Sequence, residues 1–227
     1  MPRLTFRLLP FQGQMALSLL SAVWDYYQNY TALHRNGIME WIKPKGCTYT
    51  ALSEVARELE KEDIKTEIFP IGSKPIRGCT ACNRCSTLGR CAFDDDPVNT
   101  VLEKAKEADG FIFGSPVHYA GASGGMTSFL DRLFYAGDCF SHKPGAAIVS
   151  CRRGGATAAF DQLNKYFTIS GMPVVSSQYW NMVHGNTPDE VRQDMEGMQI
   201  MRTLGRNMAW LLKSIQAGKK AGVKLPE

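Results

Sequence analysis

The chain has 227 residues, 44% apolar and 21% charged, with a formal net charge of +4. That is enough for one sizeable α/β domain with a buried core, and the composition is that of a globular protein. Residues 1–45 hold five Lys or Arg against two Asp or Glu, a bias too weak and scattered for nucleic acid, and no apolar run reaches the roughly 18 residues of a membrane span. Seven cysteines in a chain this long do not make a disulfide scaffold; four are clustered, whereas Cys47, Cys139 and Cys151 are dispersed.

The first 45 residues carry seven aromatics, among them Trp24, Tyr26, Tyr27, Tyr30 and Trp41, and only two glycines. The stretch "MALSLLSAVW" behind Arg3 and Arg7 faintly resembles a signal peptide, but no clean small-residue cleavage site follows it. A doubly wound domain should open with a buried strand and a loop into the first helix. Instead "LHRNGIMEWIKPK" has no run of four β-branched or aliphatic residues. The opening strand is missing, displaced or disguised. Residues 1–45 are therefore read as a nonstandard N-terminal extension, followed by one domain over 46–227.

From Thr48 onward helical and strand patterns alternate. "TYTALSEVARELEKE" places Leu52, Val55, Ala56 and Leu59 on one helical face. "KTEIFPIG" predicts a short strand, and a cysteine-rich loop follows. "DDDPVNTVLEKAKEAD" has an acidic cap, Pro97 at the first turn, and Val98, Val101, Leu102 and Ala105 facing inward. "GFIFGSP" is a continuous apolar run, as expected of a strand buried on both faces. "GMTSFLDRLFYAG" predicts a helix, "GAAIVSC" a strand, "TAAFDQLNKYFTISG" a helix and "MPVVSSQYW" a strand. One last helix runs from about Pro188 to Ile215. This alternation implies a parallel sheet covered on both faces.

Four stretches carry chemistry. In "GCTACNRCSTLGRC" the spacing is Cys79-x2-Cys82-x2-Cys85-x5-Cys91. Zinc sites usually pair two knuckles across a longer spacer, whereas C-x2-C-x2-C suits a loop around a cubic iron–sulfur cluster whose thiolates reach different irons. Four reduced thiols or a local disulfide are the plain alternatives. "GSPVHYAGASGGMTSFLDR" ends a buried strand and leads into a helix, where ligands of open α/β sheets bind. There Gly121, Gly124 and Gly125 permit close backbone approach, and His118 and Tyr119 could stack on a flat ligand. "CRRGGAT" follows a strand, and its Arg152 and Arg153 could hold an anion, though a solvated arginine pair is the simpler reading. In "KPKGCTYT", Thr48 is either a plain N-cap or part of a phosphate site at a helix N-terminus.

These stretches together resemble the NADPH-dependent FMN reductase-like family of the flavodoxin fold, over roughly residues 46–215. The cysteine loop looks like that of the family's iron–sulfur flavoprotein branch. The resemblance implies a flavodoxin-like three-layer sandwich around a central parallel sheet. It implies that Ser115, Pro116, Val117, His118 and Tyr119 lie along the FMN ring and ribityl chain, with Gly121 and Gly124 shaping the loop. It places Arg152, Gly154 and Gly155 beside the isoalloxazine, where nicotinamide also approaches, and has Thr48 cap the first helix at the FMN phosphate. The family's opening strand and Gly-Ser-Pro phosphate loop are represented only by their tail, "KGCTYT".

The expected function is FMN-dependent oxidoreduction driven by NAD(P)H, of the flavin- or quinone-reductase kind, with His118 as candidate proton donor and a small molecule or protein as electron acceptor. The alternatives are an iron–sulfur flavoprotein electron carrier with a [4Fe–4S] cluster on Cys79, Cys82, Cys85 and Cys91, and a non-enzymatic thiol- or metal-binding protein that has lost flavin. A cytoplasmic homo-oligomer, dimer or tetramer, with no nucleic-acid or membrane partner, is expected.

Overall fold

Helix α1 (Cys47–Glu60) is the first element among the described residues. The computed structural model describes residues 46–71 and 74–226, so the opening strand and the N-terminal extension lie outside the described residues. Leu52, Val55, Ala56 and Leu59 are all buried on one face of α1, as their spacing predicts. Next come a short α2 (Cys85–Leu88) inside the cysteine loop, where no helix was expected, and α3 (Val98–Glu107). Pro97 is the N-cap residue of α3 rather than a member of its first turn, and the Asp96 carboxylate accepts from the Val98 amide at 3.1 Å. Val98, Val101, Leu102 and Ala105 face inward as predicted.

The sheet is built on β1 (Phe111–His118) and β3 (Gly145–Cys151), which run parallel from Phe111↔Gly145 to Pro116↔Ser150. Between them the chain makes β2 (Gly121–Ala122) and α4 (Gly124–Ala136); α5 (Ala156–Ile169) follows β3. β4 (Met182–His184) pairs parallel with β3, and the strand order is β2-β1-β3-β4. The sheet is not wholly parallel: β2 turns back antiparallel on β1 through Val117↔Ala122 and His118↔Gly121.

Both faces of this sheet are covered. Phe111, Phe113, Ala147 and Val149 point into a core shared with α3, α4 and α5. Ile112, Ala146 and Ile148 point the other way, against α1 and α7 (Met195–Lys220). Period-two alternation between two apolar cores is what a strand buried on both faces requires. The result is a three-layer α/β/α sandwich.

Three expectations are corrected. Residues 65–71 form no ladder with any described residue. Even so, Ile64 and Ile68 pack into the α1–α7 core while Phe69 and Ile71 pack into the opposite one, so the segment has strand alternation without a described partner. The strand predicted over 172–180 is displaced: only a bridge joins Val174 to Gly145, and the ladder resumes at Met182. The single last helix is two, α6 (Pro188–Gln193) and α7, because Asp194 leaves helical geometry (ψ 82°) and caps the second by accepting from Gly197 N at 2.9 Å. Among the described residues, no helix is long and apolar enough to cross a membrane.

Candidate functional site

Because β1 and β3 are parallel, the loops after both open on one edge of the sheet, the edge where open α/β sheets bind ligands. The N-terminal turn of α1 reaches the same edge. Thr48 is buried, and its hydroxyl lies 2.7 Å from the hydroxyl of Ser150 on β3. It is not the cap of α1: the N-cap is Gly46, and no side chain caps the helix.

The loop after β1 is held by its own polar groups. Ser115 is fully buried; its hydroxyl donates to Pro116 O at 2.8 Å and accepts from Ser123 N at 2.9 Å. Gln162 of α5 accepts from Ala122 N at 3.0 Å and fixes β2 from outside. Pro116, Val117 and His118 are half-buried at the strand end, and the His118 imidazole hydrogen-bonds to no described residue. Tyr119 and Ala120 both adopt left-handed backbone, φ 50° and 60°, and Tyr119 is completely exposed. The turn was expected to depend on Gly121, but the demanding backbone falls on these two residues. A Cβ at Gly121 would meet only ordinary contacts, and one at Gly124 would meet nothing within 4 Å.

The loop after β3 meets this turn. Gly155 is the N-cap of α5 at φ 90°, and a Cβ there would sit 2.6 Å from Ala120 Cα. Beside it Arg152, Arg153 and Gly154 are exposed. Neither arginine side chain forms an ion pair with a described residue, and the space around Gly154 is open.

The cysteine loop packs farther along α4. Cys79, Cys82, Cys85 and Cys91 line one open pocket, with Phe93, Arg132 and Ala136 forming other parts of its wall. All seven cysteines are free, so the local disulfide is not formed. The loop turns sharply through Ala81 (φ 51°), Asn83 (φ 56°) and Gly89 (φ 64°). Asn83 is held from α4 by the Tyr135 hydroxyl, 2.9 Å from its side-chain oxygen. The backbone N–H of Arg84 lowers the pKa of the Cys82 thiol, while burial raises those of Cys139 and Cys151. Among the described residues, no three His, Cys, Asp or Glu side chains are gathered tightly enough to hold one metal ion.

The model of the NADPH-dependent FMN reductase family matches residues 39–187. The chain belongs to this family. An iron–sulfur flavoprotein of Methanocaldococcus jannaschii is 32% identical to this FMN reductase-family chain over 79% of it and 97% of the relative. In structure it is similar to RosB holding 8-demethyl-8-formylriboflavin-5'-phosphate, with a TM-score of 0.63 at 15% identity, covering 89% of this chain and 81% of RosB. It is also similar to an archaeal flavodoxin, with a TM-score of 0.52 at 16% identity over 88% and 99% of the two chains. The fold is flavodoxin-like, and the family is one of FMN-dependent oxidoreductases.

Two residues of this family member escaped sequence reasoning. Asn99 clamps the end of the cysteine loop, accepting from Cys91 N at 2.9 Å and donating to Cys91 O and Phe93 O at 3.0 Å each. Arg132 is buried on α4 and donates to the Cys91 sulfur at 3.2 Å. The available signal for Arg132 was its place on an apolar helical face, between Phe129, Leu130 and Leu133, all of them buried.

Proposed function

We propose that the chain is an NAD(P)H-dependent FMN oxidoreductase that uses the carboxyl edge of β1 and β3. The observation that carries this reading is the convergence there of the 116–121 turn and the 152–155 loop, joined at Ala120 and Gly155. The residues fit a flat ligand with an anionic nicotinamide cofactor approaching beside it. Gly154 and Gly124 leave open space, Tyr119 offers an exposed ring, and Arg152 and Arg153 are exposed and form no ion pair with a described residue. When bound, FMN supplies hydride and electron transfer. The chain's own residues do the rest. Ser115 and Gln162 lock the turn so that Pro116, Val117 and His118 present a fixed wall. His118 holds a proton at its imidazole beside the ligand, and Arg152 orients an anionic group.

The test is direct. FMN titrated into the purified chain should bind saturably, and NADPH oxidation should then depend on FMN. Arg152→Ala should fold normally and weaken nicotinamide binding about tenfold, the loss of one charged contact of roughly 1.4 kcal/mol. A chain that neither binds FMN nor oxidises NADPH in its presence refutes the reading.

A second reading has its own observation, the four cysteines on one pocket. Four thiolates spread around an open wall do not suit a single ion, but they do suit an assembly in which each binds a different iron. The M. jannaschii relative is called an iron–sulfur flavoprotein. We infer that Cys79, Cys82, Cys85 and Cys91 would hold such a cluster, which would supply single-electron transfer. Iron and sulfide assays after anaerobic reconstitution decide it: near-zero uptake removes the cluster.

A further inference from the structure

The Arg132 side chain is 1% exposed, as is that of its partner Asp96. Burying a guanidinium is tolerated only where it is paired and hydrogen-bonded. Here its donors are all directed at one segment. Nε donates to Cys91 Sγ, one terminal nitrogen donates to the Asp96 carboxylate and to Arg77 O, and the other donates to Phe93 O at 3.0 Å. Those acceptors, at positions 77, 91, 93 and 96, bracket the cysteine run on both sides. A lysine could neutralise Asp96, but it could not make this planar set of contacts.

The contact to sulfur stands apart from simple anchoring. Asn99 already fixes both backbone groups of Cys91, so the loop end does not need a second clamp to stay in place. Arg132 adds an N–H to the sulfur itself, from the buried side of a pocket whose other three sulfurs come from residues at half-exposed or exposed positions. Groups that hydrogen-bond a metal ligand from behind fix its orientation, and their loss typically lowers metal affinity about 10- to 100-fold. Hydrogen bonds to cluster sulfurs also favour the more negative, reduced state.

We infer that Arg132 is the positioning residue of the cysteine pocket: it holds the Cys91 sulfur at the inner wall and donates an N–H to it, so that an iron–sulfur assembly is retained and its reduced form stabilised. This rests on the cluster reading of the pocket. The test uses the full chain reconstituted anaerobically with iron and sulfide. Arg132→Lys keeps a cation beside Asp96 but has no Nε. Arg132→Gln with Asp96→Asn removes both buried charges together and leaves neither unpaired. Each folded variant should load iron, lose it to a chelator about tenfold faster than wild type, and show a more negative midpoint potential. A purely structural arginine would lower the melting temperature and leave the potential alone. Wild-type retention and potential in a folded variant overturn the inference while the cluster reading stands. No iron uptake by the wild type removes both. Failure of both variants to fold assigns Arg132 to the fold alone and also overturns the inference.

Discussion

Gly155 and Ala120 touch so closely that no side chain fits between them: a Cβ at Gly155 would lie 2.6 Å from Ala120 Cα and 2.9 Å from its Cβ. This contact joins the loop after β3 to the turn after β1, and so couples the two walls of the proposed flavin site. Gly155→Ala should suffer twice. An L-residue at φ 90° costs about 1–2 kcal/mol, and the clash is with backbone that cannot rotate away. Melting should fall by roughly 2–8 °C from the backbone strain alone, at about 2–4 °C per kcal/mol for a domain of this size, and FMN affinity should fall with it. Gly154→Ala, where a Cβ meets nothing within 4 Å, should leave the melting temperature unchanged. Equal melting temperatures for the two variants would refute the contact.

The hydroxyls of Thr48 and Ser150, 2.7 Å apart and buried, tie α1 to β3 beneath that site. Thr48→Val leaves the Ser150 hydroxyl without this partner, at a cost of about 1–3 kcal/mol, and Ser150→Ala does the same to Thr48. The double variant should lose less than the sum of the singles, because no orphaned hydroxyl remains. Urea denaturation of the four proteins measures this; strict additivity would mean that the pair does not interact.

Gly205 of α7 sets two known effects against each other. Glycine inside a helix costs about 0.5–1 kcal/mol relative to alanine, yet a Cβ there would lie 2.7 Å from Glu58 Cβ and 3.0 Å from Val55 O on α1. Those are atoms close to or within the backbone, so the packing penalty should win and Gly205→Ala should destabilise. Gly218, on the same helix, has only Val223 nearby, at 3.8 Å. Gly218→Ala should stabilise by roughly 0.5–1 kcal/mol. The two melting shifts should have opposite signs.

The same contrasts show what could be read from sequence. β1 and β3 were legible because a strand buried on both faces is a continuous apolar run, and α1 and α3 because their apolar spacing is helical. The edge strand was misplaced because pairing, not hydropathy, defines it: "MPVVSSQYW" is strand-like, but the ladder sits at Met182–His184, where register with Val149–Cys151 puts it. The break at Asp194 was legible in principle, as an N-cap residue inside the predicted helix. The gathering of Cys79, Cys82, Cys85 and Cys91 was legible from their spacing. Arg132 was not, because its partner Cys91 lies 41 residues away and only the fold brings them together. The flavin-side turn was anticipated at Gly121, whereas its left-handed residues are Tyr119 and Ala120, which carry no glycine signature.

Glu58 carries a pH dependence. Its buried carboxylate is bonded by Lys61 and by Arg206 at 3.1 Å. The Lys61 hydrogen bond holds its pKa below the ordinary value; burial opposes this, and Arg206 adds to it. A depressed folded pKa means that the unfolded chain binds the proton more tightly. The stabilisation is therefore present above the unfolded value of about 4.3 and is lost as pH falls through the lower folded value. Urea midpoints measured from pH 6 down to pH 3 should drop more steeply for wild type than for Glu58→Gln. Parallel profiles would remove Glu58 from the acid response.

The cysteines make the sharpest division. If the pocket holds an iron–sulfur assembly, Cys79, Cys82, Cys85 and Cys91 each bind it as thiolates, and a serine at any one should cost most of the bound iron. Cys139 and Cys151 do not line the pocket, and burial raises the pKa of both and keeps them protonated. Cys139→Ser and Cys151→Ser should therefore leave iron content unchanged. Cys85→Ser is the most informative replacement. Its sulfur makes only a long 3.7 Å contact with Tyr135 O on α4, while the Tyr135 hydroxyl still anchors the loop through Asn83, so in a folded variant loss of iron reports ligation rather than unfolding. Iron and sulfide assays on anaerobically purified proteins, with far-UV circular dichroism as the control for folding, read the outcome. Wild-type iron in a folded Cys85→Ser protein would take that residue out of the ligand set.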